Sequence, residues 1–181
     1  MRQPRFPTEQ RGVALFISLV LLLVLTIIGV SSVQTTSLEV RMTRNEHDSM
    51  LAFQAAESAL RDAENFVQGL ASTVDFTANG NNGLYIVAEV GDPEHWQDEN
   101  VWDAGNSRTA DTNVDGVASQ PRYIVEHVAS VIREENAYQQ DDPYAVGAAD
   151  RIEIFRITAR GTGGTNNASV TLQSNFGRIL D

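Results

Sequence analysis

From Gly12 to Leu38 the chain carries no charged residue, and the first carboxylate after Arg11 is Glu39. The core of this stretch is aliphatic, running Val13-Ala14-Leu15-Phe16-Ile17 and on through Leu21-Leu22-Leu23-Val24-Leu25 to Ile27-Ile28. At about 1.5 Å per residue a helix of this length reaches roughly 40 Å, enough to cross a bilayer core of about 30 Å. A short basic leader precedes it, and the rest of the chain must either continue this helix or hang from it.

Charge sets the orientation. Arg2, Arg5 and Arg11 lie before the apolar run. Short basic flanks stay cytoplasmic, which puts the amino terminus inside and the remainder outside. Arg41 and Arg44, just past the run, are balanced by Glu39, Glu46 and Asp48. The formal charge of the chain is -11, and because the leader is net basic the rest is more acidic than the whole. Such a surface argues against a nucleic-acid partner, whose phosphates need a basic face. The absence of cysteine removes thiol catalysis and cysteine-ligated metal sites but does not fix the compartment.

Three fates are open to the apolar run. From Val13 to Val33 it has the length of an uncleaved anchor. Val30-Ser31-Ser32 offers a small-residue exit for a secretory cut, although the apolar part exceeds the usual length of about 7–15 residues. A cut after Gly12 would leave the whole apolar helix on the mature chain.

The third fate is the one a resemblance supports. The leader ends Gln10-Arg11-Gly12, the apolar run begins at once with Val13-Ala14-Leu15, and an amphipathic stretch comes next. This layout resembles the class III leader of type IV pilins. The strings Ser31-Ser32-Val33-Gln34-Thr35-Thr36-Ser37-Leu38-Glu39 and Phe53-Gln54-Ala55-Ala56-Glu57-Ser58-Ala59-Leu60-Arg61-Asp62-Ala63-Glu64 resemble the PilX family of type IV pilus assembly minor pilins. The resemblance is close over residues 10–64 and one of layout beyond Val67. It implies a leader over residues 1–12, cleavage after Gly12 by a prepilin peptidase, and an N-methylated terminus at Val13. Residues 13–33 then become the transmembrane and filament-core helix, and residues 34–68 its amphipathic half.

Two positions depart from the usual pilin pattern. Mature position one is commonly phenylalanine and here is Val13; the fifth is commonly glutamate and here is Ile17. An unpaired ion near a bilayer centre costs about 2.5–3.5 kcal/mol on insertion scales. The usual glutamate offsets that cost for the terminal amine of a neighbouring subunit. Ile17 supplies no such counter-charge, which suits a subunit at a filament end better than a repeating one.

The remaining chain reads as an α+β head. Leu38, Met42, Met50, Phe53, Ala56, Leu60, Ala63 and Val67 recur at helical spacing and predict an amphipathic helix over 38–68 that packs on its own sheet by this stripe, its upper half continuing the membrane helix to contact neighbouring subunits, with Gly69 as its stop. Gly29 and the hydroxyls of residues 31–37 predict a weak stretch before it. Arg44 with Asp48 and Glu57 with Arg61 form four-residue charge pairs on its wet side. Residues 69–121 form a variable connector, with turn chemistry at Asn79–Gly83, a short strand over Leu84–Val90, a short helix after Asp92-Pro93, and Trp96 and Trp102 at the core's edge. Residues 122–177 predict a β-meander with strands over Arg122–Ile132, around Phe155–Arg160 and over Ala168–Phe176. Gly161–Asn167 would be a hairpin loop, Asp141-Asp142-Pro143 a turn, and the arginines of the middle strand would face solvent. The expected fold is a long helix packed on an antiparallel sheet of three to four strands, with residues 69–181 forming the head.

Candidate chemistry is sparse. Asp111-Thr112-Asn113-Val114-Asp115-Gly116 matches the first half of a calcium loop, but the twelfth position, which needs a bidentate glutamate, is Arg122. Asp111, Asn113 and Asp115 are the ligands if a cation binds, and a solvated turn is the reading favoured. His47, His95 and His127 lack zinc-site spacing, and no hydrolase elbow, phosphate loop or dinucleotide fingerprint occurs. The expectation is a non-enzyme without cofactor. By resemblance it is a minor pilin of a priming or tip complex, anchored in the inner membrane with a periplasmic head and then carried in the pilus. Its partners would be the prepilin peptidase, other minor pilins and the major pilin, and twitching motility and adhesion the processes served. A minor pseudopilin of a type II secretion system and a membrane-anchored ligand-binding ectodomain are the alternatives.

Overall fold

A computed structural model describes residues 11–132 and 151–180. Leader residues 1–10 and the Asp141-Asp142-Pro143 turn expected from the sequence lie outside the described residues. The chain divides into two compact units, Met1–Asn45 and Glu46–Asp181, and one helix, α1 (Arg11–Gln68), contributes to both.

In the first unit, α1 runs unbroken through Gly29–Ser37, where low propensity predicts weakness. The threonine hydroxyls there bond to the helix itself. Thr35 Oγ1 donates to the Ser31 carbonyl at 3.1 Å and Thr36 Oγ1 to that of Ser32 at 3.1 Å. Deeper in the apolar run Ser18 donates to the Leu15 carbonyl and Thr26 to that of Leu22. Each of these hydroxyls is thereby satisfied without water, the condition for its presence among aliphatics.

The second unit is a five-stranded sheet between the last turns of α1 and the connector. Its strands are β1 (Leu84–Ile86), β2 (Arg108–Thr109), β3 (Arg122–Ile132), β4 (Arg151–Thr162) and β5 (Ser169–Ile179). The order is β1-β3-β4-β5, with β2 also pairing β3. The meander β3-β4-β5 is antiparallel as expected, but β1 runs parallel to β3, and the two-residue β2 enlarges the expected sheet. The short strand predicted over 84–90 ends at Ile86, and the predicted short helix is a pair of 3-10 turns, His95–Gln97 and Glu99–Trp102.

The helix meets the sheet through alanines. Ala52, Ala55, Ala56, Ala59, Ala63 and Val67 are fully buried and follow helical spacing. Tyr123, Val125, Phe155, Ile157 and Ala159 form the sheet's side of that core. The stripe packs on the sheet in its lower members, while Leu38, Met42 and Met50 of the upper half, expected to continue the membrane helix toward neighbouring subunits, are exposed and Phe53 is 47 % exposed; the buried face is lined by alanine. The reason is backbone proximity. Gly161 lies in β4 opposite the helix, and a Cβ there would fall on the backbone of Ala52 and Ala56. Gly163 lies equally close to Asp48. Side chains larger than methyl cannot fit such a seam, so small residues line it. The expected hairpin loop therefore begins two residues late, because its first glycine and Thr162 belong to the strand.

Polar bonds close the seam at both ends. Asp48 accepts from the Thr165 backbone N–H at 3.1 Å and from its hydroxyl, rather than serving the predicted pair with Arg44. The Thr165 hydroxyl in particular holds the Asp48 carboxyl below its ordinary range. At the other end the Arg178 guanidinium donates to the carbonyls of Val67 and Gln68 in the last helical turn, the Val67 carbonyl also accepting from the Leu70 N–H. The Gly69 N–H adds bonds back to Asn65 and Phe66 where the helix stops. The predicted Glu57–Arg61 pair forms, on the exposed side.

The sheet's opposite face is covered by the connector, which corrects the expectation that Arg156 and Arg160 face solvent. Arg156 is bound by Glu94, and Arg160 by Glu99 at 2.6 Å, with the Arg160 guanidinium also 5.6 Å from the Trp102 ring centroid. Tyr85, Val101 and Ile124 form a second small core there, with Trp96 packed against it. Arg122 reaches from β3 to Ser107 Oγ at 2.6 Å, Thr109 Oγ1 at 2.9 Å and the Ser107 carbonyl at 2.8 Å, which secures residues 103–109 and forms β2.

Candidate assembly surface

Every residue of α1 from Gly12 to His47 is exposed. Val13 is 61 % exposed and Ile17 52 %, and no side chain from Gly12 to Val33 is charged. Among the described residues, a methyl group at Gly12 would meet nothing within 4 Å. Among the described residues α1 is the one helix long and apolar enough to cross a membrane. Its apolar part thus presents aliphatic side chains all round, a surface that only lipid or other apolar helices can cover. Gly12, Val13 and Ile17 lie within a turn or so of one another at the start of this surface.

The calcium-like turn is held by its own neighbours. Asp111, Asn113 and Asp115 are exposed, and Gly116 adopts a positive φ of 81° that permits the bend. The backbone N–H and hydroxyl of Thr112 donate to Asp62 of α1 at 2.7 and 3.0 Å, while Gln120 and Val114 exchange two bonds. Arg122, in the twelfth position, is committed to residues 103–109. Among the described residues no three acidic or histidine side chains gather as a metal site. His127 lies 2.6 Å from Glu153, which also accepts from Ser130. Burial works to raise the Glu153 carboxyl, but these two hydrogen bonds and the imidazole charge bring it below its ordinary value. His95 bonds the Ile86 carbonyl at 3.0 Å, and His47 is exposed.

Comparison with protein families gives two overlapping matches. Residues 11–61 match the PilX N-terminal family, and residues 49–178 match the type IV pilus assembly protein PilX C-terminal family. The chain belongs to the PilX family of type IV pilus assembly proteins. Comparison with curated proteins and with solved structures gave no match. The two PilX matches overlap across residues 49–61, the turns of α1 that carry most of the alanine seam. The C-terminal match extends the resemblance through the whole sheet, well past Val67.

Sequence reasoning missed the parts of this PilX head that join its layers. The alanine face was diluted by larger residues at neighbouring helical positions, but Ala52-x-x-Ala55-Ala56-x-x-Ala59-x-x-x-Ala63 was a readable signal of close packing. Glu126 gave no signal, since a carboxylate in an alternating strand reads as an outward residue. It is instead fully buried beneath the connector.

Proposed function

We propose that this chain is a minor pilin of the complex that primes type IV pilus assembly and remains at the filament end. Prepilin peptidase cuts after Gly12, Val13 becomes the methylated terminus, and the apolar helix holds the subunit in the inner membrane. The amino terminus faces the cytoplasm and the head the periplasm. On assembly the same helix leaves lipid for a bundle with other minor pilins and the major pilin. The observation that carries this reading is the exposed, uncharged helix surface that begins at Val13 and holds Ile17 in place of a carboxylate.

The reasoning is one of charge balance. A subunit whose fifth mature residue is Ile17 cannot neutralise a neighbour's terminal amine, so a filament repeating it would carry an unpaired ion at each step. A position at which no amine is presented removes that cost. The family membership supports a pilus in preference to a secretion filament. The head contributes no reaction in this account; it supplies surfaces by which partners are chosen.

Complementation of a strain lacking the gene tests this. The wild-type chain restores surface pili and twitching, whereas Gly12→Leu, which blocks the cut, restores neither while accumulating in the membrane. Full rescue by Gly12→Leu would favour a permanently anchored ectodomain and contradict the proposal.

A further inference from the structure

Glu126 lies in the middle of β3 on the face turned from α1, in register with Tyr85 of β1 and Arg156 of β4. It is 0 % exposed, and among the described residues neither carboxylate oxygen has a hydrogen-bond partner. Among the described residues the nearest cation is Arg156, whose Nη1 is 3.9 Å away, too far for a hydrogen bond. That same nitrogen is bound to Glu94 of the connector. One guanidinium therefore faces two carboxylates, one in the sheet beneath it and one in the connector above.

A bare carboxylate in this position would be costly. An ion buried without hydrogen bonds is strongly disfavoured, and such groups take up a proton instead. Burial accordingly raises the Glu126 carboxyl above its ordinary range; the charges of Arg156 and His95 oppose this, and that of Glu94 reinforces it. The groups around it are Arg156 from β4, Tyr85 from β1, and Glu94 and His95 from the connector. The Tyr85 hydroxyl is committed to the Asn106 carbonyl at 2.8 Å, and His95 to that of Ile86. His127 and Glu153 pair on the sheet's other side, against the Phe155 core. Arg156 is thus the group placed to answer a charge on Glu126.

We propose that Glu126, Arg156 and Glu94 form a proton-operated latch between the sheet and the connector. With Glu126 protonated, Arg156 holds Glu94 and the segment around Trp96 stays docked. Loss of the proton to solvent leaves a buried anion that draws Arg156 inward, and Glu94 is released with the adjoining 3-10 turn. The docked state is favoured at low pH and gives way as pH rises through the raised Glu126 value. The connector forms the outer layer on this face of the head, so its release changes the surface offered to a partner subunit.

The two tryptophans of the chain, Trp96 and Trp102, both lie in the connector and are bonded to each other, Trp102 Nε1 donating to the Trp96 carbonyl at 3.1 Å. Their fluorescence in detergent-solubilised full-length protein therefore reads the latch directly, over a pH range of about 4 to 9 that spans the ordinary and raised carboxyl values. The wild-type emission shifts to the red in a one-proton transition as pH rises. Glu126→Gln removes the transition and keeps the blue, docked emission throughout; Glu126→Leu does the same if the amide variant folds poorly. Glu94→Gln weakens the latch and gives the red emission at all pH values. His95→Asn keeps the transition. Identical profiles for wild type and both Glu126 variants, or a transition lost only with His95→Asn, would overturn the proposal.

Discussion

The two halves of α1 are built by opposite rules. Up to His47 its side chains are exposed on every side, and through the apolar run they are large and aliphatic in the main; from Ala52 to Val67 one face is alanine-rich and fully buried. The second half is finished within the chain, since Gly161 brings the strand backbone against the helix and leaves room for nothing larger than methyl. The first half is unfinished. Its apolar surface has no partner within the described residues, and its hydroxyls at Thr26, Thr35 and Thr36 are bonded back to the helix so that none requires water. The second half thus carries the packing of the head, the proposed function gives assembly to the first, and substitutions should separate the two.

The largest separation comes from a crossed pair of variants. Leu22→Arg puts a charge in the middle of the apolar run, a change that costs about 2.5–3.5 kcal/mol at a helix centre in a membrane. It should abolish incorporation into pili while leaving the melting temperature of the solubilised head within about a degree of wild type. Ala56→Leu should do the reverse in origin, lowering head stability by about 1–3 kcal/mol through overpacking at the seam. Equal thermal losses from both would mean that the two halves do not divide the work. Gly161→Ala should fall in the same range as Ala56→Leu, because its new methyl meets helix backbone that cannot yield; calorimetry on both variants checks this.

A finer prediction concerns position. Ile17→Glu restores the carboxylate that a neighbour's amine would use, so immunogold label confined to filament ends in the wild type should spread along the shaft. Label that stays at the ends in both would show that the head, not residue 17, fixes the position.

Smaller still is the acid limb set by Asp48. Its folded carboxyl lies below the unfolded value because the Thr165 hydroxyl bonds it, so its contribution is present above the unfolded value, about pH 4, and is lost as pH falls through the lower folded one. Asp48→Asn should flatten this part of the stability profile, as acid titration of the melting temperature would show. Calcium should have the smallest effect: the turn at Asp111–Gly116 is already held by Asp62 and Gln120, and millimolar calcium should not shift the melting temperature. A rise of several degrees would make Asp111, Asn113 and Asp115 a cation site after all.

How much of the molecule was legible beforehand depends on how local each signal is. The apolar run, the stop at Gly69 and the strands β3 to β5 announce themselves through continuous or alternating patterns within single segments. A strand beginning at Leu84 is legible too, but its parallel pairing and the two-residue β2 are not, because both depend on bonds to β3 made far along the chain. The arginines of β4 looked exposed for the same reason, since nothing beside them in the sequence reveals that Glu94 and Glu99 will cover them. The alanine face of the helix was hard to read because large apolar residues outweigh alanine in any periodicity, whereas close backbone approach demands alanine. For the candidate assembly surface, the roles given to Gly12, Val13 and Ile17 come from their order in the sequence and stand as proposals, while Glu126 became meaningful only when its burial was visible.

The central claim is that the exposed apolar helix is an assembly element released from its leader, and the mass of the chain's own amino terminus tests it most directly. Mass spectrometry of protein recovered from sheared pili should give a terminal peptide beginning at a methylated Val13. A terminus at Met1, or one near Val33 that discards the apolar helix, would contradict the account.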